Sequence, residues 1–148
     1  MQTQTTSPSK SFRLRFRSEE KIVVESDDEH LFKLAEKAVA STFRFSDGTR
    51  NVNEEFHEFL NAVHQWSKDQ SDQLEETCLA VSGGHIELLF VTKMDDYDWE
   101  FNQKMIDFDT EQVVRYDWLR TQVMQIPRPD KSCLTSFNNL AIVYANGN

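Results

Sequence analysis

Residues 78–93 read CLAVSGGHIELLFVTK. Two apolar runs, Cys78–Val81 and His85–Lys93, are separated by Ser82-Gly83-Gly84. Gly-Gly supplies the positive φ angles of a tight reversal, so the pattern predicts a β-hairpin. The second arm is apolar at most positions rather than at alternate ones. A strand of that kind must be covered on both faces, or nearly so, which puts it inside a sheet. The chain therefore cannot be all-helical. At 148 residues it has a one-domain length, and a domain of that size folds without a metal or a disulfide.

The remaining segments are read around that hairpin. Residues 1–10 are polar and are expected to be a disordered tail, leaving 11–148 as a single α/β domain. Phe12, Leu14 and Phe16 alternate with Arg13, Arg15 and Arg17, a period of two that predicts a strand with one cationic face. Ile22–Val24 is a second short apolar run. Ser26 and Glu29 have capping-box spacing before Leu31, Leu34, Ala35, Ala38 and Val39, which predicts a helix over 28–41. Residues 46–51, SDGTRN, read as a turn. Phe56, Phe59, Leu60, Val63 and Trp66 form an apolar stripe, predicting a helix over 53–69. The polar stretch 67–77 reads as a helix end plus a loop. A third helix is expected over 110–125, capped by Asp109 with Gln112 and ended by Pro127 and Pro129. Leu140–Tyr144 reads as a last strand, with Cys133–Phe137 a partner for it across Asn138-Asn139. The order is mixed but not alternating. The expected fold class is α/β of the α+β type: a two-layer sandwich, one mixed, mainly antiparallel sheet with helices on one face.

Charge narrows the partners. Lys and Arg number 16 against 25 Asp and Glu, for a net charge of −9. Such a balance argues against nucleic acid, because phosphate contacts need clustered cations. No run of about 18 apolar residues suggests a membrane span, and no leader-like segment opens the chain. Cys78 and Cys133 read as reduced, buried thiols, so the expected location is cytoplasmic.

The order of strand, two helices, hairpin, variable segment, helix and terminal strands resembles the anti-sigma serine-kinase proteins of the histidine-kinase-type (Bergerat) ATPase superfamily. EEFHEFLNAVHQW resembles the family helix in which a Glu precedes Asn-Ala-Val by a turn. YDWLRTQVMQIPRP and LAIVYANG resemble its last helix and terminal strands. The resemblance implies Asn61 as the ligand of a magnesium ion bridging ATP phosphates. It implies a catalytic base one turn earlier, where His57 stands at the family position and Glu58 is the adjacent carboxylate. It implies Asp95 or Asp96 as the reader of adenine. No glycine follows those aspartates, and none of the chain's four glycines precedes the last helix to form a phosphate lid. A phosphate cradle needs backbone N–H groups unobstructed by Cβ atoms. The implied module is a regulatory, non-enzymatic one without ordinary ATP turnover and with no cofactor, whose protein partner is a sigma factor or its antagonist. The alternative is a magnesium-ATP-dependent serine kinase with Glu58, Asn61 and Asp95 or Asp96 as its site. An acidic secretion-type chaperone is a second alternative.

The segment 94–111 carries seven carboxylates and four aromatics. Extended, it would place Tyr97, Trp99 and Phe101 on one side and Asp96, Asp98 and Glu100 on the other. Aromatics with a carboxylate rim suit a protein-binding edge, with Tyr97, Trp99, Phe101, Asp98 and Glu100 as its residues. The competing reading sends the aromatics into the core. The spacing of Asp96, Asp98, Glu100, Asn102 and Asp107 also imitates a calcium loop, but Phe101 stands where that loop needs glycine. His57, His64 and His85 lack metal-ligand spacing, so no metal is expected. The arginine face of the first strand is either solvated or a contact for an acidic partner or a second copy of the chain in a homodimer.

Overall fold

A computed structural model describes residues 11–16, 22–24, 33, 52–82, 85–137 and 140–146. The expected tail 1–10, the helix over 28–41 (Lys33 apart) and the turn at 46–51 lie outside the described residues. The described elements are β1 (Ser11–Phe16), β2 (Ile22–Val24), α1 (Val52–Asp69), β3 (Leu74–Ser82), β4 (His85–Thr92), α2 (Trp99–Arg115), β5 (Thr121–Ile126), a 3-10 segment (Arg128–Ser136) and β6 (Leu140–Ala145).

The strands form one six-stranded sheet in the order β2-β1-β6-β3-β4-β5. β1 pairs antiparallel with β2 and parallel with β6. β3 is antiparallel to both β4 and β6, and β4 is parallel to β5. The sheet is thus mixed and mainly antiparallel. Ser82 pairs with His85, so β3 and β4 are the two arms of a hairpin, and the expected Gly83-Gly84 turn between them lies outside the described residues.

Helices α1 and α2 pack on the same face of the sheet. Phe56, Phe59, Leu60 and Val63 of α1 are buried there with Phe101, Met105 and Phe108 of α2, against Leu79, Ile86, Leu88 and Phe90. Trp66 sits at the helix junction, stacked on Phe108 and edge-on to Phe90. Thr77 pairs with Tyr144 while Cys78 pairs with Ile142, so β6 bulges at Val143. The bulge turns both Val143 and Tyr144 into the helix-side core. Apolar residues also line the opposite face of the sheet, as the character of β4 requires. Cys78, Ala80, Leu89, Val91, Ile126 and Leu140 pack there under Leu134 of the 3-10 segment. Lys131 ties that segment to β3, with Nζ 3.0 Å from Glu75 and 3.1 Å from Glu76. Hydrogen bonding to Glu75 and Glu76 outweighs burial and raises the Lys131 pKa above its usual value.

Four expectations are corrected. The third helix is not 110–125 but Trp99–Arg115, and 121–126 is strand β5. Asp109 lies inside that helix, where its carboxylate accepts from the Thr121 hydroxyl. Residues 133–136 belong to the 3-10 segment rather than to a strand beside β6. Residues 74–77 open β3, where Leu74 is buried in the helix-side core and the buried Thr77 hydroxyl bonds that of Ser67 in α1. Cys78 is buried, as expected, but Cys133 is exposed.

Candidate functional site

The N-terminus of α2 is built by a clamp. Asp98 is the cap residue, and its Oδ1 accepts from the Phe101 N–H at 2.9 Å. Gln125 of β5, itself buried, holds the Asp98 backbone on both sides. The Asp98 N–H donates to Gln125 Oε1 at 2.7 Å, and Gln125 Nε2 donates to the Asp98 carbonyl at 2.9 Å. A second tie lies alongside, where the Arg128 guanidinium meets Asp95 at 3.1 Å and the Arg128 N–H donates to the Met94 carbonyl. The turn between β4 and α2 is therefore fixed by side chains from β5 and from just beyond it.

On this turn the aromatics divide. Phe101 enters the core and is 0% exposed, whereas Trp99 is 77% and Tyr97 42% exposed. The exposed pair meet edge to face, with ring centroids 4.9 Å apart. The extended reading of 97–101 is thus corrected. The segment turns into a helix at Trp99, so Phe101 leaves the Tyr97–Trp99 side and Asp98 spends its carboxylate on the cap. Tyr97, Trp99 and Glu100 remain at the surface with Asp95 and Asp96. The helix also runs through the positions of the supposed calcium loop.

The residues implied by the ATPase resemblance lie in two places. Glu58 and Asn61 are on consecutive turns of α1. Glu58 accepts a hydrogen bond from the Tyr116 hydroxyl at 3.1 Å, and Glu55 accepts one from the Trp118 indole at 2.6 Å. Burial, together with this bond to Glu58, pushes the Tyr116 phenol up to about 12. Asn61 Nδ2 donates to the His57 carbonyl at 3.0 Å. Tyr116 caps the C-terminal end of α2, whereas Asp95 and Asp96 precede its N-terminal end. The 17-residue helix is about 25 Å long. The structure therefore brings Glu58 and Asn61 together and sets Asp95 and Asp96 at the other end of α2.

The described histidines, His57, His64 and His85, do not converge. His64 Nδ1 donates to the Val143 carbonyl at 2.9 Å, and its ring stacks on Phe16 at 4.2 Å. His85 faces Glu87 at 3.7 Å. His57 lies edge-on to Phe56. Among the described residues no group of three or more His, Cys, Asp or Glu is placed to hold a metal ion.

Sequence reasoning missed Gln125, which organises the turn from a distant strand, and three exposed apolar residues on α2. These are Ile106, Val113 and Val114. The seven-residue spacing of Trp99, Ile106 and Val113 was the available signal. No helix among the described residues is long and apolar enough to cross a membrane. Compared with protein-family models, curated proteins and solved structures, the chain matches none of them. What fold and site define is an α+β domain presenting a braced, acidic-rimmed aromatic turn.

Proposed function

We propose that the protein is a non-enzymatic regulatory module that binds a protein partner through the Tyr97–Trp99 turn. One observation carries the reading: a tryptophan left 77% exposed on a turn that a buried glutamine holds rigid. Large exposed aromatics in a fixed geometry lose little entropy on binding and serve as interface anchors. Exposed Asp96 and Glu100 flank the pair in the chain, and with the net charge of −9 they favour a basic partner and speed its approach. The resemblance to anti-sigma proteins makes a sigma factor or its antagonist the first partner to try. Two thiols without a disulfide agree with a cytoplasmic location.

The test uses the wild type, Trp99→Ala and the exposed control Lys93→Ala as baits. A partner kept by the wild type and the control but lost from Trp99→Ala supports the reading, and identical captures from all three sink it. Calorimetry with magnesium-ATP guards the other side. Binding heat that vanishes in Asn61→Ala would return the chain to phosphoryl transfer.

A further inference from the structure

Helix α2 is apolar on two sides. Its inner side is Phe101, Met105 and Phe108. Its outer side carries Trp99, Ile106 and Val113, one every seven residues, which is close to two helical turns and keeps them on one face. They are 77%, 41% and 38% exposed, and Val114 beside them is 79% exposed. Gln103 and Thr110 fill the positions between, so no charged side chain interrupts the stripe. From Trp99 to Val113 it runs about 21 Å.

Charge marks one long flank. Glu100, Asp107 and Glu111 lie along it at spacings of seven and four, all exposed. The two cations of α2 turn towards the body of the protein. Lys104 Nζ donates to Gln73 Oε1 at 3.1 Å, and the Arg115 guanidinium sits over the Tyr116 ring at 5.5 Å. The stripe is therefore left with an acidic border.

We propose that the outer face of α2 is a docking surface for a basic amphipathic helix of a partner protein. The inference rests on the binding role given above to the Tyr97–Trp99 turn, and it extends that site along the helix. The partner lays its own apolar residues, spaced three and four apart, between Trp99, Ile106 and Val113. Its lysines or arginines meet Glu100, Asp107 and Glu111. A second copy of this chain fits less well. Two copies packed antiparallel bring each acidic flank against its own equivalent, and two net charges of −9 add to that repulsion.

The experiment is calorimetry of the full chain with three synthetic peptides at physiological salt. The first has leucines at helical spacing with lysine and arginine flanks. The second has the same composition scrambled, so that the leucines fall around the helix. The third keeps the leucine stripe with glutamate flanks. The first is expected to bind, and the other two to bind about tenfold more weakly or worse. Ile106→Glu and Val113→Glu, both surface changes that keep the far-UV spectrum, are expected to weaken the first peptide about tenfold or more. Equal binding of the first and scrambled peptides would overturn the proposal. A dimer seen in sedimentation and dissolved by Ile106→Glu would overturn it too, in favour of a second copy. If Trp99→Ala weakens the peptide while Ile106→Glu and Val113→Glu do not, the helix proposal falls and the aromatic turn stands. If Trp99→Ala changes neither peptide binding nor partner capture, both fall.

Discussion

Replacing Phe101 and Trp99 separately by alanine measures how the segment after β4 is folded. Phe101 is fully buried, packed with Trp66 at 5.9 Å between the two helices and the sheet. Truncating a buried phenylalanine removes its transfer energy and leaves a cavity, together about 3–5 kcal/mol. Trp99, two residues earlier, is mostly in water. Its truncation should change stability by no more than about 0.5 kcal/mol. With a urea m-value of about 2 kcal/mol per molar, Phe101→Ala lowers the unfolding midpoint by roughly 1.5–2.5 M, and Trp99→Ala by less than about 0.3 M. Far-UV circular dichroism in a urea series gives both numbers. Phe101→Leu, which keeps most of the volume, should lie between them and guards against a variant too unstable to fit. The reasoning depends on a helix that starts at Trp99. In an extended segment residues 99 and 101 share a side and cost similar amounts. Equal losses would refute the helix, and with it the exposed stripe on its outer face.

Gln125→Met keeps the volume but orphans the Asp98 N–H and carbonyl, and should cost about 1–3 kcal/mol in the same titration. The Gln112 side-chain oxygen is buried without a hydrogen-bond partner in the described structure, so Gln112→Met is expected to raise stability by about 1 kcal/mol. Tyr116 holds its proton up to about pH 12, while the unfolded phenol releases it near 10. Its contribution is complete below pH 10 and disappears as pH rises through about 12. Stability measured across that window should fall less steeply in Tyr116→Phe than in the wild type. A thiol reagent at pH 8 should label exposed Cys133 at once. Buried Cys78, whose thiol is pushed up by burial and by Glu76, should react only on unfolding.

The β3–β4 hairpin, α1, β1 and β6 were legible because each carries a single dominant signal. Phe56, Phe59, Leu60 and Val63 fit only a helix, and the Gly-Gly reversal fits only a tight turn. Residues 97–108 satisfy two periods at once. Tyr97, Trp99 and Phe101 alternate, but Phe101, Met105 and Phe108 repeat at four and three, and Phe101 belongs to both series. The tertiary contact that decides between them is the clamp from Gln125, 27 residues away. Strand β5 was missed for a related reason. TQVMQI has three β-branched residues but also two glutamines, one of which is buried by its bonds to Asp98 rather than by apolar character. Of the candidate site, Tyr97, Trp99 and Glu100 could be read as surface residues. The capping role of Asp98 and the burial of Phe101 could not, because both follow from where the helix begins.

Strand β6 lies between β1 and β3, so the N-terminal hairpin has no neighbour in the sheet until Leu140–Ala145 arrives. About 116 residues separate Val24 from Leu140. At the roughly 5–20 residues per second of protein synthesis, that gap is on the order of 6–23 s. Throughout it, β1 presents an unpaired edge and a Leu14 side chain that ends up only 2% exposed. The arginines at 13 and 15 alternate along that strand, and charge on an unpaired edge discourages pairing with a neighbouring nascent chain. The positive charge at positions 13 and 15 is what the nascent strand itself has to discourage pairing elsewhere until β6 has cleared the exit tunnel.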